Sequence, residues 1–311
     1  MLRAVFFGTP AFAGPSLTRL ASDAEVRLVV TQPDRPVGRR AALRPSAISE
    51  AAASLGIRTE KPERLRDNAS FLETLAAARA DVGVVVAYGK LLPDEVLAAP
   101  RLGFVNVHAS LLPRHRGASP VQAAILAGDR ETGVATMRVV RELDAGPLYL
   151  ERRTPIEPRE DAAALAGRLS ELGADLLAAT LAGLERGTLE ARPQEGEPTF
   201  CRTIRREDGE ADWSLPAAAL DRRRRAFAPW PGLFTFLDSE RIKILDSEVG
   251  QEGRAEPPGS FWQEDGELVV AAGGGTSLLL RRLQREGRSP VNGAQFALGA
   301  RLTGRFGSSR P

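Results

Sequence analysis

The sequence predicts two domains in series, a parallel α/β sheet followed by a small β-barrel or sandwich. Three observations carry this. Through about residue 150, short apolar runs alternate with stretches of helical periodicity, the rhythm of strands joined by crossover helices. The runs are continuous in Val, Ile and Phe, as expected of strands buried on both faces. Beyond about residue 207 the pattern becomes short strand-like pieces between Gly and Pro turns.

The strands expected in the first domain are 2-LRAVFFG-8, 26-VRLVVTQ-32, 82-VGVVVAY-88, 103-GFVNVHA-109 and 134-VATMRVV-140. Helical spacing falls between them at about 12–21, 45–55, 69–79 and 120–127. Asn68 is placed to cap the third helix, and Pro120 suits the first turn of the fourth. Residues 161–187 form a long amphipathic helix with Leu165, Leu169, Leu172, Leu176 and Leu177 on one side and Gly187 at its stop. Residues 188–206 are rich in Pro, Glu and Arg without periodicity and read as a linker. Further strands are expected at 233-LFTFL-237, 241-RIKIL-245, 267-ELVVAA-272 and 276-TSLLLRRL-283.

A chain of 311 residues, 43% hydrophobic and 26% charged, can bury two cores and is not a disordered one. The single cysteine, Cys201, excludes an intramolecular disulfide framework and fits a reducing cytoplasm. With only two histidines besides, a zinc centre is not expected; nor is any other metal site. No apolar run approaches the roughly 20 residues of a bilayer span, and the opening MLRAVFFGTP reads as a strand and turn rather than a signal peptide. Net charge is only +2, yet the basic residues gather in 35-RPVGRRAALR-44, in Arg222 to Arg225, and in a tail where seven arginines (281, 282, 285, 288, 301, 305, 310) face one acid, Glu286. Such clusters are the footprint of a phosphate-backbone partner, but most charge runs are solvated faces, so charge alone favours the latter.

Both histidines lie in 106-NVHASLLPRHRGASP-120. On a strand with period two, Asn106 and His108 point one way and Val105, Val107 and Ala109 the other. An amide and an imidazole on an apolar strand need partners, and the ends of strands in an open α/β sheet are where ligands bind. On pattern alone, a satisfied histidine at a capped strand end stands slightly ahead of a catalytic one. Chemically, the pair suits acyl transfer to a nucleophile supplied by the substrate, with the amide and imidazole donating to a developing oxyanion. Asp144, in 141-RELDAGPLY-149, follows the strand that ends near Val140 and is therefore expected on the same edge of the sheet, a candidate to orient and charge the imidazole; an ordinary turn aspartate is the other reading.

The stretch 106–120 followed by 131-ETGVATMRVVRELDAG-146 resembles the folate-dependent formyltransferases in the Asn-x-His strand end, the SLLPxxRG loop and the Asp-x-Gly loop. The resemblance extends over essentially the full length through 8-GTPAFA-13, 31-TQPDRPVGR-39, 84-VVVAYGKLLP-93, 226-AFAPWPGLFTFL-237 and 242-IKIL-245. It is closest to the branch that acts on methionyl initiator tRNA in translation initiation. It implies an α/β Rossmann-like parallel-sheet transferase domain plus a C-terminal all-β OB-like barrel domain. The divisions are a catalytic domain over 1–188, a linker over 189–206 and a tRNA-binding domain over 207–311. It implies 10-formyltetrahydrofolate as formyl donor, Asn106, His108 and Asp144 as catalytic residues, and Ser110, Leu111, Leu112 and Pro113 bordering the folate. It also places Arg39 and Arg40 in a tRNA-sensing insertion. A cytoplasmic monomer without metal is expected. Departures are Ala109 where many relatives have glycine, 40-RAALRPS-46 where they often carry lysines, and His115 where an aromatic residue is expected, to which we assign loop packing.

Rival readings are a formyltransferase acting on glycinamide ribonucleotide or an amino-sugar, a dinucleotide-dependent dehydrogenase, and a non-catalytic tRNA-binding protein. The first resembles only the front domain when its acceptor is glycinamide ribonucleotide. The second lacks a G-x-G-x-x-G after the first strand, since 8-GTPAFAG-14 interposes proline.

Overall fold

In the computed structural model, which describes residues 1–37, 42–252, 256–299 and 304–307, the chain divides into two units. One comprises Met1–Pro120, Glu131–Pro155 and Leu165–Arg202, the other Val121–Arg130, Ile156–Ala164 and Thr203–Pro311. The strands of the first are β1 (Arg3–Gly8), β2 (Glu25–Val30), β3 (Arg35–Val37), β4 (Ala42–Arg44), β5 (Thr59–Glu60), β6 (Val82–Val86), β7 (Phe104–His108), β8 (Arg116–Gly117), β9 (Glu131–Arg138), β10 (Leu148–Pro155) and β11 (Phe200–Cys201). The helices are α1 (Gly14–Asp23), α2 (Ala47–Ser54), α3 (Ala69–Ala77), α4 (Asp94–Leu97), α5 (Pro120–Ala127), which from Val121 on belongs to the second unit, and α6 (Ala162–Arg186), which belongs to the first from Leu165 on.

Seven strands pair in the order β10-β9-β7-β6-β1-β2-β5. The apolar run of β1 shows why the sheet is buried on both sides. Ala4 and Phe6 enter one core with Leu17 of α1, Ile48 of α2 and Leu177 of α6, while Val5 and Phe7 enter another with Phe71 and Leu75 of α3. Each of the larger of these side chains (Val, Leu, Ile, Phe), fully buried, contributes roughly 1.5–3 kcal/mol. Strand β7 obeys the same alternation: Val105 and Val107 join the first core and Phe104 the second. Asn106 and His108 therefore share the face of Phe104. Ser46 caps α2 and Asn68 caps α3 through side-chain oxygens accepting from Ser49 N and Phe71 N.

The sheet is mostly parallel rather than wholly so. The run expected at 134–140 is β9, and it pairs antiparallel to β7 and to β10. Its end, Arg138, lies opposite Val105 near the start of β7, not beside His108. The segment 189–202, read as linker from composition, is tied to the first unit by an Arg192–Leu148 bridge and by β11 pairing with β8.

In the second unit β12 (Leu233–Leu237), β13 (Glu240–Glu252), β14 (Phe261–Glu264), β15 (Glu267–Ala272), β16 (Thr276–Arg285) and β17 (Val291–Asn292) pair antiparallel in the order β12-β13-β16-β15-β14, with β17 on β16. The unit is not all-β: α7 (Ala217–Ala226) and α8 (Gly293–Gly299) pack into its core through Ala217, Leu220 and Phe296. Four successive arginines obscured the helical spacing of α7 in the sequence. The expected barrel is not present as a closed sheet, since the path ends at β12 and β14. Isolated bridges Phe236–Gly307 and Ser260–Arg305 run from the segment 305–307 to each side.

Candidate active site

His108 ends β7 almost fully buried, and its ring is flanked by acceptors. Nε2 lies 3.1 Å from the carbonyl oxygen of His115, and Nδ1 lies 3.7 Å from Oδ2 of Asp144. Only a ring protonated on both nitrogens presents a donor to each. The Asp144 separation is too long for a hydrogen bond and short enough for charge pairing. Asn106, two residues back on the same face, is half-buried, and its amide has no hydrogen-bond partner among the described residues.

Asp144 reaches His108 by a different route from the one its spacing suggested. Because β9 is antiparallel, the 139–147 loop leaves beside the start of β7, where Val139 N donates to Phe104 O, and doubles back. Asp144 is held there with a positive φ of 50°. Its Oδ2 accepts from Gly117 N at 2.8 Å, and its carbonyl accepts from Gln194 Nε2 at 2.8 Å. Gln194 also donates to Gly146 O and accepts from the Arg116 guanidinium through Oε1. Such a left-handed aspartate persists only where the surroundings over-determine it.

The loop that supplies the His115 carbonyl is fixed from the far side by residues 199–201. His115 N donates to Thr199 Oγ1 at 2.8 Å, and Gly117 pairs with Cys201. Burial pushes the Cys201 thiol up, and its sulfur accepts from Ser119 N at 3.4 Å and donates to the His115 carbonyl at 3.5 Å. Gln194 and Thr199 went unremarked in the sequence, and Gly117 figured only as the last residue of the SLLPxxRG loop; the first two lie in the stretch whose composition reads as a linker, and the contacts include backbone ones that leave no residue pattern.

A family model described as formyl transferase matches residues 2–181, and its C-terminal domain model matches residues 203–301. The chain is 46% identical over 298 residues to a methionyl-tRNA formyltransferase of Thermus thermophilus, covering 96% of each. The chain belongs to the formyl transferase family. A second methionyl-tRNA formyltransferase, from Caldanaerobacter subterraneus, is 40% identical over 96% of this chain and 97% of its own. Solved formyl transferases share the fold: the sugar 3N-formyl transferase WlaRD has a TM-score of 0.67 at 14% identity, covering 93% of this chain and 99% of its own. The phosphoribosylglycinamide formyltransferase of Streptococcus pneumoniae, with a TM-score of 0.50 at 22% identity, covers only 60% of this chain and 99% of its own.

Within this formyl transferase the SLLP segment is largely internal. Ser110 is buried with its hydroxyl donated to Arg114 O at 2.6 Å, and Leu112 packs with Ala135, Met137 and Leu148. Pro113 is buried as well, and Leu111 is half-buried. A groove of about 940 Å³ opens beside α3 and the loop after β6, lined by Leu91, Leu92, Arg64, Arg66, Lys90 and Arg141 among others. Arg39 and Arg40 lie outside the described residues; the strands β3 and β4 flanking them form an antiparallel hairpin. Among the described residues no group of three or more His, Cys, Asp or Glu side chains could hold a metal ion, and no helix is long and apolar enough to cross a membrane.

Proposed function

We propose that the chain transfers the formyl group of 10-formyltetrahydrofolate to the α-amino group of methionyl initiator tRNA. The observation that carries the reading is the full-length identity to enzymes of that name, joined to a buried imidazole set between a carbonyl and a carboxylate beside a partnerless amide. Attack of the amine on the formyl carbon moves charge onto the formyl oxygen. The Asn106 amide is the free donor to that oxygen, and the charge on His108 lies beside it. With Nε2 held by the His115 carbonyl, Nδ1 is the nitrogen that exchanges a proton with the reacting groups. Asp144 keeps that proton at hand and accepts the proton that the attacking amine loses; as the oxyanion collapses, the bond from the formyl carbon to N10 of the folate breaks and N10 departs protonated from Nδ1.

The co-substrate suits the groove after β6. A folate offers flat apolar rings and a carboxylate-bearing tail, and the lining offers leucines and four cations against three carboxylates (Glu63, Asp67, Asp94), with Arg141 three residues from Asp144. The SLLP segment would border it through Leu111 and main chain, the other side chains being turned inward. We read residues 1–188 as catalytic and 207–311 as tRNA-binding, with 189–206 joining them, and Arg39 and Arg40 as contacts to the acceptor end. Bridges from 305–307 to β12 and to Ser260 support an OB-like barrel reading of the second domain. One half-buried free cysteine suits a reducing cytoplasm.

The test is an assay with the formyl donor and methionyl-tRNA, glycinamide ribonucleotide or free methionine as acceptor. Only the tRNA should be formylated efficiently. His108→Ala should lower kcat by about 10²–10⁴ with tRNA binding intact; activity near wild type would exclude this mechanism.

A further inference from the structure

The motif 31-TQPDRPVGR-39 carries side chains that the proposed chemistry leaves without a task. Gln32 is the clearest of them. It follows β2, stands half-buried at the root of the β3–β4 hairpin, and uses both ends of its carboxamide. Nε2 donates to the carbonyl oxygen of Tyr88 at 2.8 Å, and Oε1 accepts from the exposed Arg35 of β3 at 2.7 Å. The two ends are not interchangeable, since Nε2 can only donate and Oε1 only accept. A reversed amide would set acceptor against carbonyl and donor against guanidinium.

Tyr88 lies in the loop after β6, where Ala87 and Gly89 flank it with left-handed φ of 47° and 83°. An alanine in that region persists only where its surroundings hold it. The Tyr88 ring is buried edge-on against Phe7, and its carbonyl accepts from Thr9 Oγ1 at 3.0 Å as well as from Gln32. A Cβ on Gly89 would lie 2.6 Å from Gln32 Nε2, so amide and loop are in close contact. From there the chain runs directly into Lys90, Leu91 and Leu92 of the groove lining. A second part of that lining is tied to the same hairpin root, because Asp34 pairs at 2.6 Å with Lys61, two residues before Glu63. Lys90 joins the two parts by donating to Pro62 O and Glu63 O. A guanidinium fixed on Oε1 polarises the amide and strengthens donation from Nε2, since hydrogen bonds in a chain reinforce one another. Whatever immobilises Arg35 therefore tightens the hold on Tyr88 O.

We propose that Gln32 is a positioning residue that couples the acceptor at the hairpin to the folate in the groove, so that each binds more tightly when the other is present. The link between hairpin and groove stands on these contacts; the identity of the two ligands rests on the function proposed above. By linkage the effect is reciprocal.

The experiment measures the affinity of the intact protein for tetrahydrofolate with and without uncharged initiator tRNA, a pair that cannot react. In the wild type the tRNA should tighten folate binding at least about fivefold, and in Gln32→Leu this advantage should vanish. A purely structural role would weaken both affinities alike and leave their ratio unchanged. Gln32→Glu keeps the acceptor for Arg35 and loses the donor to Tyr88 O, so it should lose the advantage as fully and decides the matter should Gln32→Leu fold poorly. A tRNA-independent affinity in the wild type, or a wild-type ratio in Gln32→Glu, would overturn the proposal. If the wild type fails to bind tRNA or folate, the functional reading falls, and the backbone nitrogen resonance of Gly89, in the same peptide group as Tyr88 O, then decides the link. It should move between wild type and Arg35→Ala and stay put between Gln32→Leu and the double variant; no movement in Arg35→Ala would overturn the link.

Discussion

At the scale of the residue, His108 owes its placement to atoms that have no side-chain identity. Its Nε2 faces a backbone carbonyl, and the residue supplying it, His115, sits at a positive φ of 57°. The alternation of β7 made the shared face of Asn106 and His108 legible in the sequence, because period two follows from the pleat. The His115 carbonyl was not legible, since every residue has one. The assignment of His115 to the loop rather than to catalysis remains our proposal, with a backbone role added. A second buried polar group is less well served. Tyr88 lies 1% exposed with its hydroxyl unpartnered, and burial pushes that phenol up to about 12. Removing an unsatisfied buried hydroxyl should be neutral to favourable, so Tyr88→Phe is expected to stabilise by about 1 kcal/mol. Denaturant unfolding measures it, and a loss of stability would imply a partner such as an ordered water.

Among elements, a pairing of only two residues on each strand carries the site. The ladder of β8 on β11 involves only Arg116–Phe200 and Gly117–Cys201. Gly117 has φ 120°, and a Cβ there would lie 2.1 Å from Cys201 O. Gly117→Ala should therefore prise the strands apart and take the N–H from Asp144, lowering kcat at least about tenfold at a stability cost of about 1–3 kcal/mol. Wild-type turnover in that variant would show that Asp144 is held by other means. Strands β1, β2, β6 and β7 were readable as buried apolar runs. The direction of β9 was not, because an apolar run has the same composition whichever way it lies. Asp144 was thus named by its motif for a geometric reason that fails: its loop begins near the start of β7 and doubles back. Gln194 and Thr199 were hidden because Pro and Glu suppress periodicity without preventing attachment.

Over the whole molecule, the arginine-rich composition divides by use rather than by sequence clustering. The run Arg222–Arg225 looks like a binding patch, yet Arg224 is 8% exposed and bonds Asp221 and Ser247, while Arg223 donates to Asp208 O and Glu210 O. Replacing Arg224 with Met leaves Asp221 with one partner fewer. We expect about 2 kcal/mol of destabilisation in thermal or denaturant unfolding, with the salt dependence of tRNA binding unaltered. A flattened salt slope would return that run to the binding surface. In the tail, Arg281 and Arg285 are likewise committed to carboxylates, and Arg305 donates to Pro258 O. Charge placement at this scale could not be read from clustering, since pairing depends on which acids the fold brings near.

The tie between residues 115–117 and 199–201 also bears on how the protein comes into being. A ribosome delivers the chain N-terminus first, and domains generally fold as they emerge. The sheet strands through β10 can assemble while residue 155 is the last one out, with the Asn106–His108 face already formed. The loop that presents the His115 carbonyl stays unanchored until Thr199 and Cys201 have followed it out of the exit tunnel. A nascent chain is thereby committed to its sheet well before it is competent at its reactive centre.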